Sequence, residues 1–288
     1  MSIHDELSLP PEPPEPADLA PATKEFAAGT TSLAPPLDLR APWSWLDLVV
    51  LAVLAIVGGL LLRLLLTTAF AVFGMKSTQL SASPSATGLF AILLQALLSI
   101  ILLGYLTAQI RGAFGLPFWR TIGWRAFEPD HVPRVLRYFG FIAGGFLLAA
   151  VVELLSVAFG NHAKVPMQAL FQDRRTAILL LLMSVLVAPV VEETIFRGYI
   201  YPVVARSFGM ATGVLSTGIL FGLLHAPQLW GGWVQIALLV GVGIVFTYAR
   251  ALARTVLASY LLHVSYNFFV SFAFLLGSHW MRLVSPGH

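Results

Sequence analysis

The sequence predicts an all-α, multi-pass integral membrane helical bundle of about seven transmembrane helices with a disordered N-terminal tail. Of the 288 residues, 58% are hydrophobic and only 11% are charged, whereas soluble domains carry about 25% charged residues. Mean hydropathy is +0.83. Beyond residue 42, apolar runs follow one another, several of them near the roughly 20 residues that cross a bilayer. The chain contains no cysteine, which excludes disulfides, thiolate nucleophiles and thiolate metal sites.

Residues 1–42 begin MSIHDELSLPPEPPEPADLAPATKEF and hold nine prolines and seven acidic residues against Lys24 and Arg40. Such a composition has too little apolar surface to bury, so it predicts a disordered, acidic, partly polyproline tail. No charged n-region followed by a short apolar stretch and a cleavage site opens the chain, so the first span is expected to target the protein to the membrane. Residues 43–175 are expected to form N-terminal transmembrane helices with an interfacial segment. Residues 176–276 read as a helical core and 277–288 as a C-terminal tail.

Spanning runs are expected near 46–74, 88–108, 136–159, 177–204, 211–225, 233–250 and 255–276. The fifth is short and ends in His225-Ala226-Pro227, which suggests a helix that stops within the membrane. Between the second and third runs, RGAFGLPFWRTIGWRAFEPDHVPRVLR interleaves arginines with Phe118, Trp119 and Trp124, a pattern suited to the headgroup region. Gly241 and Gly243 lie inside a span and imply close helix packing rather than a nucleotide loop. Gln95 is expected to bond to a neighbouring helix. Arg63 and Glu153 either pair with each other or snorkel. His162, His279 and His288 read as solvated.

Past residue 42 the chain carries fifteen basic residues against seven acidic ones. They are scattered between apolar runs, which fits loop topology and speaks against nucleic acid as a partner. The aromatic-basic segment, Arg206 and the Arg250/Arg254 turn are all expected on the cytoplasmic side, with the N-terminus cytoplasmic. Lys164, Arg174 and Arg175 fall on the other side.

Three places in the last third of the chain depart from this apolar pattern. APVVEETIFRGYIYP puts Glu192, Glu193 and Arg197 at the end of a run beginning ILLLLMSVLV. A charge at membrane depth costs roughly 2.5–3.5 kcal/mol or more. On a helix Glu193 and Arg197 are four apart with the acid first, a favourable pairing, while Glu192 points about 100° away. ILFGLLHAP sets Phe221 and His225 on one face, and LLHVSYNFF sets His263 and Asn267 on another. If the chain reverses near Phe208 and Gly209, Glu192 and His225 lie some 16 residues from the turn and so at similar depth. His263 is nearer its own turn and matches that depth less well. Ionisable residues on successive spans usually face a shared cavity.

These residues resemble the CPBP (Abi) intramembrane proteases, a family that includes Ras-converting CaaX endopeptidases and bacteriocin-processing or self-immunity proteins. EETIFR matches an EExxxR motif, FGLLH an FxxxH motif and HVSYN an HxxxN motif, in that order, over roughly residues 176–276. The resemblance implies an intramembrane endopeptidase of the bacterial cytoplasmic membrane acting on a peptide or membrane-protein substrate. Glu192 with His225 would activate a water, and His263 and Asn267 would stabilise the oxyanion. Glu193, Arg197 and Phe221 would support them. Glu192, His225 and His263 also make an adequate Zn²⁺ ligand set with one open position, although no HExxH helix is present. Two other classes compete: an ion or proton carrier, which also uses intramembrane acids and histidines, and a non-catalytic immunity or accessory protein. The absence of an internal repeat speaks against the carrier. The intact motif set speaks against the scaffold.

Overall fold

The computed structural model describes residues 36–74, 83–159 and 174–277. Residues 1–35, His162, Lys164, His279 and His288 lie outside the described residues. Helices α1 (Trp45–Val72), α2 (Ser85–Ala113), α4 (Arg134–Ala158), α5 (Arg175–Phe208), α7 (Trp233–Ala253) and α8 (Val256–Leu276) are each long and apolar enough to cross a membrane. Between them lie α3 (Phe118–Thr121), a single turn, and α6 (Met210–Leu224), a shorter apolar helix. The protein is therefore an integral membrane helical bundle, with six helices of spanning length and one shorter apolar helix among the described residues. At 1.5 Å per residue α6 extends about 22 Å, short of a hydrocarbon core of about 30 Å.

The first two helices begin where the sequence provides serine caps. Ser44 and Asp47 form a reciprocal capping box at the start of α1. Ser83 Oγ accepts the Ala86 amide just ahead of α2. Leu46, Val53, Ile56, Leu60 and Leu64 of α1 all point outward, as expected where lipid rather than water surrounds the molecule.

The site end of the fold is built on close helix crossings. A Cβ on Gly218 of α6 would lie 2.5 Å from the Ile244 amide nitrogen of α7, and one on Gly243 would lie 2.5 Å from the Gly218 carbonyl. These glycines let the two backbones touch. Gly241 has open space beside it, so of the pair singled out in the sequence only Gly243 serves the crossing. α5 and α6 are joined by Gly209 at φ +86°, where the reversal was expected.

Three further expectations change. Residues 36–42, assigned by composition to the tail, contain a 3₁₀ turn at Leu37–Leu39 and run as a strap across the bundle. Leu39 is buried, and Asp38 Oδ2 accepts from Arg250 Nη1 at 3.1 Å. Arg206 donates to the Ala41 and Trp43 carbonyls. Trp43 stacks on Tyr199 with centroids 4.6 Å apart. Apolar contacts and two arginines outweigh the proline-rich composition here. The aromatic-basic segment is more than a headgroup anchor, since Phe118, Ile122 and Phe127 are buried against the bundle. Gln95 is exposed on α2, as are Arg63 and Glu153, and the last two form no ion pair with each other among the described residues.

The strap, the α3 segment and the ends of α5 and α7 meet at one end of the bundle. Thr255 Oγ1, in the α7–α8 turn, donates to the Arg125 carbonyl at 2.6 Å, and the Val256 amide donates to the Gly123 carbonyl at 3.0 Å. The aromatic-basic segment, Arg206 and the Arg250/Arg254 turn thus share an end.

Candidate active site

α5 is not a regular helix. It widens to π turns at Met183–Val187 and Thr194–Ile200, and a proline follows each one closely, Pro189 and Pro202. A proline inside a helix lacks the N–H for its i−4 carbonyl and crowds that carbonyl, and a wider turn relieves both problems. The stretch between the π turns, Ala188–Glu193, carries the two glutamates, and the second π turn carries Arg197.

Glu193 and Arg197 are both fully buried and joined, Arg197 Nη1 donating to Glu193 Oε1 at 3.0 Å. The pair is therefore not an interfacial snorkel. Two charges withdrawn from water persist only when mutual attraction and further hydrogen bonds offset their desolvation. The further bonds come from α7. Arg197 Nη2 donates to the Gly243 carbonyl at 2.8 Å and Nε donates to Thr247 Oγ1 at 3.1 Å. The guanidinium also lies over the Phe221 ring, 4.5 Å from its centroid.

Glu193 Oε1 has a second partner, His263 Nδ1 of α8, at 2.8 Å. A carboxylate only accepts, so Nδ1–H donates and the ring presents Nε2 on its other side. That nitrogen lies 3.7 Å from Glu192 Oε2. The two adjacent glutamates thus flank one imidazole, with Glu193 buried behind it and half-buried Glu192 in front. Phe246 packs beside the same ring, 4.8 Å away.

His225 follows directly after α6, half-buried. Its Nδ1 lies 2.7 Å from the Phe221 carbonyl. The carbonyl can only accept, so Nδ1 carries the proton and Nε2 is left with a lone pair. Phe221 lies between the two histidines, its ring centroid 4.8 Å from that of His225 and 5.8 Å from that of His263. Asn267, one turn beyond His263, donates through Nδ2 to the Ser184 carbonyl at 2.8 Å, which ties α8 to the first π turn of α5.

The structure therefore sets Glu192, Glu193, Arg197 and His263 in one contact chain, with His225 joined to it through Phe221 and Asn267 bonded to the neighbouring turn. Gly243, Phe246 and Thr247 of α7 also belong to this constellation; sequence reading marked Gly243 for helix packing only and did not find the other two. In an apolar helix a phenylalanine and a threonine carry no distinguishing signal, although Thr247 is four residues from Gly243.

Zinc has suitable donor atoms in Glu192, His225 and His263. Among the described residues, however, no three His, Cys, Asp or Glu side chains stand together in a way that could hold one ion. As placed, the three do not fit a metal centre.

An apolar groove of about 760 Å³ runs between α1 and the α5–α6 pair, and Trp45, Ile195, Phe196, Leu220 and Leu224 are among the residues lining it. Leu224 is the immediate neighbour of His225.

Residues 174–269 match the family model described as type II CAAX prenyl endopeptidase Rce1-like. The match spans a third of the chain and includes all three motifs. At the level of the family, the Rce1-like stretch supports an intramembrane protease, as the motif resemblance implied. No curated protein and no solved structure matches the chain.

Proposed function

We propose that the protein is an intramembrane endopeptidase that hydrolyses peptide bonds of membrane-associated substrates with a glutamate-activated water. The observation that carries this reading is the unequal environment of the paired glutamates. Glu193 is consumed by Arg197 and by His263 Nδ1, while Glu192 is half-buried and 3.7 Å from His263 Nε2. A carboxylate left free beside an oriented imidazole is equipped for proton transfer.

In this reading Glu192 takes a proton from water as the oxygen attacks the scissile carbonyl, and His225, through its Nε2 lone pair, holds the same water. The oxyanion that forms is met by His263 as the imidazolium, with Nδ1–H on Glu193 and Nε2–H turned to the oxyanion, and by the Asn267 amide hydrogen not given to Ser184, donors that gain strength where bulk water is excluded. Glu192 then passes its proton to the departing amide nitrogen, and the carbon–nitrogen bond breaks. The apolar groove beside Leu224 accommodates the hydrocarbon part of the substrate. The end of the bundle carrying the aromatic-basic segment, Arg206 and Arg254 is cytoplasmic by the positive-inside rule, and the strap before α1 lies at that same end.

The test is cleavage of a membrane-embedded peptide reporter by purified protein in liposomes, with and without chelator. Cleavage by wild type and its loss in Glu192→Gln is the expected result. Retained cleavage by Glu192→Gln protein overturns the role of Glu192. Ion flux in the same liposomes without cleavage overturns the protease reading in favour of a carrier. Loss of cleavage with chelator, restored by Zn²⁺, overturns the metal-free mechanism.

A further inference from the structure

α7 carries no residue of the three motifs, yet it holds the cation at the centre of the site. Thr247, fully buried, donates its hydroxyl to the Gly243 carbonyl at 2.7 Å and accepts from Arg197 Nε at 3.1 Å. Arg197 Nη2 donates to the same carbonyl at 2.8 Å. A threonine hydroxyl bonded back to its i−4 carbonyl is an ordinary arrangement in an apolar helix. The second bond, to a guanidinium with no access to water, is not explained by that habit.

A guanidinium is planar and its donors form a rigid fork. Once Nε is pinned to Thr247 and Nη2 to Gly243, the direction of Nη1 is fixed. Nη1 seats Glu193 Oε1 at 3.0 Å, and Oε1 holds His263 Nδ1 at 2.8 Å. The orientation of the imidazole facing Glu192 is therefore set from α7, two side chains away.

We infer that Thr247 is a positioning residue of the candidate active site: its hydroxyl fixes the Arg197 fork, which seats Glu193 and so orients His263. The activity readout rests on the protease reading, whereas the spectroscopic readout below does not.

Thr247→Val keeps the side-chain shape and removes the hydroxyl, and Thr247→Ser keeps the hydroxyl. Purified variants are compared by thermal unfolding, by kcat and KM on the membrane-embedded reporter, and by the NMR resonance of the His263 Nδ1 proton. For Thr247→Val the expectation is a folded protein with kcat lowered about 10- to 100-fold, the usual cost of removing an orienting partner, and a shifted imidazole resonance. Its KM stays within about threefold of wild type. Thr247→Ser matches wild type in all three measurements. An unshifted resonance in Thr247→Val, or equal losses in both variants, overturns the inference. Where Thr247→Val does not fold, Thr247→Cys, with a weak acceptor in the same place, is judged by the same resonance. If wild type cleaves no reporter, the protease reading fails while the imidazole comparison still decides the role of Thr247.

Discussion

At the scale of single residues, adjacent glutamates differ because helical geometry gives them different neighbours. Replacing Glu192 by Gln removes the proposed base while leaving every bond of Glu193 in place. The expected outcome is a loss of kcat of about 10²- to 10⁴-fold, with an unchanged detergent elution profile and melting temperature. Arg197→Met has the opposite signature. It strands the Glu193 carboxylate at 0% exposure, which costs about 3–5 kcal/mol and is read as a lowered melting temperature in detergent. The double replacement Glu193→Gln with Arg197→Met recovers part of that loss, because no buried charge remains uncompensated. The i,i+4 spacing made the Glu193–Arg197 pair and the neighbourhood of Phe221 and His225 legible in the sequence. The second partner of Glu193 was not legible, because His263 reaches it from another helix, across 70 positions. No periodicity within one segment carries that distance.

At the scale of elements, the run of apolar segments was readable because hydrophobic length is dictated by the bilayer. The π turns were not, since hydropathy is blind to how many residues a turn contains. Their one trace is Pro189 and Pro202, each following a widened stretch. The crossings between helices depend on absent side chains, and Gly145 shows the consequence. A Cβ there would lie 2.4 Å from the Leu262 carbonyl and 2.0 Å from Ser265 Oγ, where backbone cannot yield without moving α8 away from α4. Leu262 precedes His263, so Gly145→Ala is expected to disturb the imidazole as well as packing. The expected cost is about 1–3 kcal/mol, measured by thermal unfolding, together with reduced reporter cleavage.

At the scale of the whole molecule, the fold class followed from composition, whereas the strap did not, because a proline-rich approach to the membrane gives no sign of what it will lie against. Asp38→Ala tests the strap directly. It leaves Arg250, 1% exposed, without its carboxylate, and a destabilisation of about 3–5 kcal/mol is expected, read by melting in detergent. The same contact constrains the order of assembly. Asp38 and Arg250 are separated by 212 positions, so the strap emerges from the ribosome long before its anchor exists. Arg206, on α5, precedes α7 in the chain, so its bonds to the Ala41 and Trp43 carbonyls can form before Arg250 exists. Only when α7 has been made can Asp38 close on Arg250, so a stretch that is synthesised first among the described residues gains this contact near the end.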